Sequence, residues 1–234
     1  MYDDFADSFA VHAEHSAYNA HYDRPAVLGL LGDVAGCRIL DVGCGSGLYG
    51  AELAQRGADV VGFDSSAKLV QHARQRMGRA ADLRVHDVRD PLDWLRDESI
   101  DQAIMALVLH HLDDPAPALR EVHRVLKPGG RLVVSTVHPV ADWRQVGGSY
   151  FTDEMIDDTW NEGWKVRFRR APLTAWCAEF WEAGFLIERL VEPLPDESMK
   201  DPFPDTYNKL TAEPFFIVFV LVKTSSPAAP RPRN

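Results

Sequence analysis

Short apolar runs alternate with segments of helical spacing through the middle of the chain, and this alternation limits the possible folds more than any other feature. The apolar runs lie at 37–42, 58–63, 82–85, 100–109 and 131–137. Helical spacing covers Leu48 to Arg56, Ser66 to Met77 and Pro115 to Leu126. Because strands joined by crossover helices run parallel, the pattern predicts an α/β fold, a doubly wound sheet with helices on both faces.

Both ends of the chain depart from this alternation. Residues 1–34 are predicted to form amphipathic helices, one of them opened by Pro25, and we interpret them as a helical lid. Leu186 to Val191 and Phe215 to Val222 have the character of strands with no long helix between them, so we expect an antiparallel closing pair in a seven-stranded sheet. Residues 224–234 are rich in proline, and we expect them to be disordered.

Charge and composition exclude several classes of function. The chain has 25 Lys and Arg against 35 Asp and Glu, a net charge of −10, which disfavours nucleic acid and anionic membranes as partners. Its longest apolar run has eight residues, too few to span a bilayer, and its acidic start does not resemble a signal peptide. We therefore expect a cytoplasmic location. The spacing of Cys37, Cys44 and Cys177 predicts neither a disulfide nor a metal site.

A glycine-rich turn follows the first predicted strand and opens the first long helix. Gly45, Gly47 and Gly50 spell the dinucleotide fingerprint G-x-G-x-x-G, with Asp64 placed to hold a ribose. With Asp41 and Gly43 included, the same turn spells Asp-x-Gly-x-Gly-x-Gly. In an open α/β sheet such a turn lies at the carboxyl edge, where ligands bind and glycines allow close approach.

The second register resembles the nucleoside-binding loop of class I S-adenosylmethionine-dependent methyltransferases, in particular the quinone-biosynthesis-like branch, methyltransferase type 11, that acts on small molecules. Further similar segments follow in the order of that family: Val60-Val61-Gly62-Phe63-Asp64, His86-Asp87-Val88, Asp101 to Leu112, and Leu126 to Val134. The resemblance covers residues 35–137 well and the last strands more loosely. It implies a methyltransferase domain at 35–223, with an acceptor-binding insertion at about 138–171.

The resemblance implies S-adenosyl-L-methionine as cofactor, leaving S-adenosyl-L-homocysteine as product. Asp64 would accept hydrogen bonds from the ribose, Asp87 and Val88 would meet the adenine, and Asp41 would hold the amino group or brace the loop. The residues expected at the cofactor are Tyr18, Tyr22, Asp41, Gly43, Cys44, Gly45, Gly47, Asp64, Ser65, Asp87, Val88 and Leu107. Alternatives are a helix cap for Asp64, a surface acid for Asp87 and core packing for the two tyrosines.

Histidines are the candidates for proton transfer to or from an acceptor. His110 and His111 follow the fourth strand and His138 follows the fifth, so all three belong to the carboxyl edge of the sheet. Each could instead hydrogen-bond the backbone. The segment 138–171 looks irregular and aromatic, and we expect it to line an acceptor pocket or to form a satellite core with Trp176. Arg167, Arg169 and Arg170 are expected on the wet side of a strand, with anion binding as an alternative.

These features favour methyl transfer to an aromatic or apolar small molecule in bacterial specialised metabolism, by in-line displacement in a closed pocket. O-methylation is slightly favoured over C- or N-methylation, and a homodimer is left open. An NAD(P)-dependent oxidoreductase is the alternative for the other glycine register, although the chain has no Tyr-x-x-x-Lys pair. A third reading is a regulator that binds S-adenosylmethionine without turnover.

Overall fold

The computed structural model describes residues 2–78, 81–160 and 163–224. The strands are β1 (Arg38–Val42), β2 (Asp59–Asp64), β3 (Asp82–Val85), β4 (Ile100–Ala106), β5 (Leu126–Val137), β6 (Glu154–Thr159), β7 (Lys165–Arg170), β8 (Phe185–Val191) and β9 (Phe216–Lys223). The α-helices are α1 (Ala6–His15), α2 (Arg24–Leu30), α3 (Leu48–Gln55), α4 (Ala67–Met77), α5 (Ala116–Val125), α6 (Pro139–Val146), α7 (Leu173–Glu182) and α8 (Pro204–Ala212). The proposed disordered tail lies outside the described residues from 225 onward.

The main sheet has the order β3-β2-β1-β4-β5-β9-β8, seven strands within the described ranges. The first five pair in parallel, whereas β9 is antiparallel to both β5 and β8. The predicted fold class and the antiparallel closing pair are therefore confirmed. The connection between β8 and β9 contains a short helix of nine residues, α8, that the sequence analysis did not predict.

Alternate residues of each strand feed two hydrophobic layers, one on each face of the sheet. On β1, Ile39 packs in the layer that contains Val27 and Leu28 of α2, while Leu40 packs in the layer that contains Leu119 of α5. The buried Asp41 follows on the α2 face by the same alternation. Polar groups thus begin where the strands reach their carboxyl ends.

The segment 138–171 is not irregular, contrary to expectation. It forms α6 and a β6–β7 hairpin whose strands pair antiparallel. The hairpin register places Glu154 opposite Arg170, and their side chains form an ion pair of 2.6 Å. Opposite charges facing each other across two strands stabilise the pair. The sequence hides this hairpin because charged residues stand on both faces of its strands.

The N-terminal residues form helices that lie along α4. Between α1 and α2 the chain makes a π-helical turn, Asn19–Asp23. Asp7 pairs with His72 and Glu14 pairs with Arg76, each at 2.7 Å, so α1 meets α4 through complementary side chains. Pro25 stands in the first turn of α2, as predicted. Over the part of the chain that is described, no helix is long and apolar enough to cross a membrane.

Candidate functional site

Three glycines after β1 take left-handed backbone conformations, with φ of 71° at Gly43, 52° at Gly45 and 79° at Gly47. A Cβ on Gly43 would lie 2.4 Å from the Val108 side chain, and one on Gly47 would lie 2.9 Å from Ala73. A Cβ on Gly45 would meet no atom within 4 Å. Packing therefore requires two of these glycines, while the third faces open space in which a ligand can approach the backbone.

Asp64 ends β2 beside this loop. Its Oδ2 accepts a hydrogen bond from the Gly45 N–H at 3.0 Å, and its Oδ1 accepts one from the Ser66 N–H at 2.8 Å. Burial raises the pKa of the Asp64 carboxyl. The side chain that caps α4 is Ser66, whose Oγ accepts from the Leu69 N–H, so Asp64 is not needed as the helix cap. Each carboxylate oxygen has a second lone pair for a ligand hydroxyl.

Asp41 lies behind the glycine loop and is 2% exposed. Its Oδ2 is buried without a hydrogen-bond partner among the described residues. Burial, reinforced by the charge of Asp64, raises the pKa of the Asp41 carboxyl to about 7. Because a buried acceptor left unpaired is costly, this oxygen suits a donor such as an ammonium group.

Four more of the residues predicted at the cofactor lie within the glycine loop or follow β2 and β3. Cys44 is buried within the loop, its N–H donating to the Phe63 carbonyl, while Ser65 is exposed. After β3, Asp87 is held by Arg89 at 2.6 Å, which lowers the pKa of the Asp87 carboxyl, and Val88 packs on the core.

Leu107 follows β4 with φ of 56°, in the left-handed region. Its N–H donates to the Ser135 carbonyl at 3.0 Å, which holds the turn in place. A non-glycine residue in this region stores strain, and such strain clusters at ligand sites.

The two tyrosines of the N-terminal segment pack on the sheet. Tyr22 is 1% exposed, stacks on Phe216 and accepts a hydrogen bond from the Phe215 N–H through its hydroxyl. Tyr18 packs its ring 4.7 Å from that of Phe215, in a cluster that includes Leu107. Tyr22 therefore has the core role given as its alternative, and the structure does not favour it as a cofactor contact. Tyr18 stays a prediction.

His110, which is buried, and His111, which is partly buried, form a turn directly after β4. The His110 ring hydrogen-bonds Thr136 Oγ1 through Nδ1 at 3.1 Å, and the His111 ring meets the Arg167 carbonyl through Nδ1 at 2.8 Å. Because a carbonyl only accepts, Nδ1 of His111 carries the hydrogen and the neutral ring keeps its lone pair on Nε2. Burial lowers the pKa of both rings, which favours neutral imidazole.

His138 hydrogen-bonds the backbone, which was the alternative given for it from the sequence. Its Nδ1 accepts a hydrogen bond from the Val140 N–H at 3.1 Å and so caps α6. Its Nε2 lies 3.0 Å from Glu192 Oε1 and donates to that carboxylate. Since both ring nitrogens are engaged, the arrangement does not favour His138 as a base.

The hairpin and the N-terminal helix meet through Trp164. The indole stacks on Phe5 at 5.0 Å and makes edge contacts with Phe9 and His12 at 5.8 and 5.3 Å. Trp176 lies instead in the main core, so it does not belong to a pocket in the segment 138–171.

The expectation that the three arginines of β7 lie on the solvent-exposed face of a strand is correct for only one of them. Arg169 and Arg170 are buried, contrary to the expectation of a wet strand face, and Arg169 bonds Asp153 and Glu179. Their charges are therefore already paired within the protein, which disfavours the anion-binding alternative. Arg167 alone of the three is exposed.

Comparison with known proteins places this geometry in a family. Residues 40–134 match the model of the methyltransferase domain. A ubiquinone biosynthesis O-methyltransferase of Pseudomonas aeruginosa (strain UCBPP-PA14) is 31% identical over 76% of this chain and 72% of the relative. The chain belongs to the class I S-adenosylmethionine-dependent methyltransferases. The enzyme of the same name from Xanthomonas oryzae pv. oryzae (strain PXO99A) is 35% identical, and there the match spans 62% of each chain.

A solved structure supports the fold of this family member. The S-adenosylmethionine dependent methyltransferase from Mesorhizobium loti aligns with a TM-score of 0.71 at 24% identity, covering 90% of this chain and all of the other. The cofactor of the family is S-adenosylmethionine. The residues present fit this cofactor. The open space at Gly45 allows it to contact the loop backbone, the Asp41 oxygen without a partner suits its ammonium group, and the carboxylate of Asp64 suits its ribose.

Sequence reasoning missed one buried acid near these loops. Asp23 is fully buried, and it accepts a hydrogen bond from the hydroxyl of Tyr49 in the first turn of α3. The only signal in the sequence is an acid inside an otherwise apolar helix face, which on its own is too weak to assign a role.

Proposed function

We propose that the protein transfers a methyl group from S-adenosylmethionine to a small-molecule acceptor, with an oxygen as the favoured acceptor atom. The observation that carries the proposal is the glycine loop with open space at Gly45, flanked by Asp64 and by the unpaired oxygen of Asp41. Membership in the methyltransferase family supports it. The printed names of the curated relatives, ubiquinone biosynthesis O-methyltransferases, support oxygen as the acceptor atom.

Several residues would divide the work of holding the cofactor. Asp64 would take the ribose hydroxyls, Asp41 the ammonium group, and Asp87 with Val88 the adenine. When bound, the cofactor supplies an electrophilic methyl group on a sulfonium that is already a good leaving group. The protein then has to align the acceptor and exclude water, and alignment alone can supply ~7 to 11 kcal/mol.

His111 would take the proton of an acceptor hydroxyl through Nε2. Its Nδ1 is fixed by the Arg167 carbonyl, and its lowered pKa keeps the ring neutral and able to accept. Proton transfer of this kind contributes ~10² to 10⁴ in rate. Since Arg167 belongs to β7, the hairpin that would cover the acceptor also orients the proposed base.

The N-terminal helices, residues 1–34, would act as a lid, and residues 138–171 would bind the acceptor. The contact of Trp164 with Phe5 joins these two segments at the carboxyl side of the sheet. The net charge of −10 favours a neutral or apolar small molecule over a nucleic acid, and a cytoplasmic location suits such a substrate.

Ligand binding tests the proposal first. Calorimetry should show that S-adenosylhomocysteine binds and that NADH does not, because the oxidoreductase alternative requires the second ligand. A ligand present at 100 times its Kd stabilises the fold by ~2.7 kcal/mol, so thermal unfolding gives an independent reading. Release of S-adenosylhomocysteine in a screen of phenols and catechols then separates a methyltransferase from a regulator without turnover.

A further inference from the structure

Asp23 lies at a junction between the N-terminal segment and two loops that the proposed function assigns to the cofactor. The side chain is 0% exposed, in the last position of the π-helical turn Asn19–Asp23. Its neighbour Tyr22 is 1% exposed. Consecutive residues of an α-helix point about 100° apart, and the wider π-helical turn brings both side chains into the interior. Such turns are rare and are frequently found at functional sites.

The first connection of Asp23 leads to the glycine loop. The Tyr49 hydroxyl donates a hydrogen bond to Asp23 Oδ2. Tyr49 is the second residue of α3 and comes two positions after Gly47, whose left-handed conformation ends the loop. Holding Tyr49 therefore fixes the start of α3 and the loop that precedes it.

The second connection leads to the strained turn after β4. Ser135 lies close enough to the Asp23 carboxyl to lower its pKa, although Asp23 Oδ1 makes no hydrogen bond within the described residues, and the Ser135 Oγ accepts a hydrogen bond from the Leu107 N–H at 3.2 Å. Leu107 has φ of 56°. The buried carboxyl is thus hydrogen-bonded to Tyr49 beside the glycine loop and lies near Ser135, which holds the turn at the end of β4.

A buried carboxyl in this position carries a cost for the fold. Burial raises the pKa of Asp23 to about 6, against the opposing effects of Tyr49, Ser135 and Arg24. Arg24 is itself paired with Glu52 at 3.1 Å. Apolar replacement of a buried polar pair is often neutral or stabilising, so stability alone does not account for an acid here.

We propose that Asp23 is a positioning residue that holds the glycine loop and the Leu107 turn in the arrangement that binds the donor. The inference rests on the proposed function and adds to it a residue that does not itself touch the cofactor. It also gives the N-terminal segment a role beyond covering the pocket, since the segment would set the geometry of the binding loops from within.

The experiment replaces both polar partners at once. The variant Asp23→Leu/Tyr49→Phe keeps the branched shape at position 23, with methyl groups in place of the carboxylate oxygens, and removes the Tyr49 hydroxyl together with its acceptor. We expect its melting temperature to equal or exceed that of the wild-type chain, while calorimetry shows at least a tenfold loss of affinity for S-adenosylhomocysteine. A purely structural role would give the reverse, a lower melting temperature with affinity unchanged in the folded fraction.

Single variants keep the test decisive if the double variant does not fold. Tyr49→Phe removes only a hydroxyl and should weaken binding at least threefold, whereas the conservative Asp23→Asn keeps an acceptor oxygen and should stay within threefold of wild type. Glu179→Gln on α7, which alters a partly buried acid bonded to Arg169, should leave affinity unchanged.

An affinity within twofold of wild type in a folded double variant would overturn the inference. If the double variant is unfolded, an affinity within twofold of wild type in Tyr49→Phe would overturn it instead. Failure of the wild type to bind S-adenosylhomocysteine would instead overturn the proposed function, so the two failures are distinguishable.

Discussion

The carboxylate of Asp64 accepts a hydrogen bond from the backbone N–H of Gly45 at 3.0 Å, tying the end of β2 to the loop that follows β1. The two residues are 19 positions apart in sequence, and parallel pairing of β1 with β2 brings them together. The residue proposed to bind the ribose therefore also fixes the loop, so cofactor affinity and loop geometry depend on one side chain.

Asp64→Ala should weaken binding of S-adenosylhomocysteine more than tenfold, because charge-assisted hydrogen bonds to the ribose are worth ~1.5 to 3 kcal/mol each. Calorimetry on the folded variant measures the loss. Asp59→Ala, at the exposed start of the same strand, serves as control and should bind like wild type. Equal affinity of Asp64→Ala and wild type would remove Asp64 from the site.

Gly45→Ala should abolish tight cofactor binding while the protein still folds. Alanine in a left-handed conformation costs ~1 to 2 kcal/mol, and the added methyl would fill the open space beside the loop. Gly36→Ala is a matched control, since Gly36 also has a positive φ of 74° and open surroundings but lies before β1. Both variants should melt at similarly lowered temperatures, and only Gly45→Ala should lose affinity. Similar affinities in the two would argue against a ligand at Gly45.

His111→Ala should lower kcat for an acceptor hydroxyl by ~10² or more with little change in cofactor affinity. Because burial lowers the pKa of His111 from its ordinary value, the ring stays neutral near pH 7, and the wild-type rate should decline only at more acidic pH.

His138→Ala is the companion variant to His111→Ala. It should lose stability by ~1 kcal/mol through the α6 cap and keep the pH profile. An unaltered kcat in His111→Ala, or loss of the acidic limb in His138→Ala, would contradict the assignment of the base.

Trp164→Ala should loosen the N-terminal segment, because the indole joins β7 and its hairpin to Phe5 and Phe9. Hydrogen exchange of residues 6–15 should accelerate, and S-adenosylhomocysteine should dissociate several times faster. Trp143→Ala removes an indole that is 41% exposed and should change neither quantity. Unchanged exchange in Trp164→Ala would show that this contact does not hold the helix.

Asp142→Asn should stabilise the protein at pH 8. Burial raises the pKa of Asp142 to about 7 from an ordinary 3.8, with Arg170 opposing the shift. Between pH 4 and 7 the folded state holds a proton that the unfolded state has lost, so wild-type stability falls as pH rises through this window, by up to about 4 kcal/mol.

The stability of the Asp142→Asn variant should not fall in this way as pH rises. The unfolding free energies of the variant and the wild type should therefore become equal near pH 4. Urea unfolding of the variant, the wild type and the exposed-site control Asp93→Asn across pH 4 to 8 measures the difference. Parallel curves for Asp142→Asn and wild type would show that Asp142 does not titrate abnormally.

The sequence by itself determined the parallel strands of the main sheet and the glycine loop after β1. Strand and helix periodicity is a local property, so β1 to β5, α3 and α4 could be read from runs of neighbouring residues. The left-handed conformations of Gly43 and Gly47 belong to the same short motif.

Only the tertiary structure showed which groups the histidines and the buried Asp23 are bonded to. His138 caps α6 and hydrogen-bonds Glu192. His111 hydrogen-bonds the Arg167 carbonyl, and Asp23 accepts a hydrogen bond from Tyr49. These partners are 26 to 56 residues apart along the chain. A local sequence pattern shows which residues a helix or strand contains. The hydrogen-bond partner of a buried polar group depends instead on how distant elements pack, and this partner sets the tautomer and the pKa of the group.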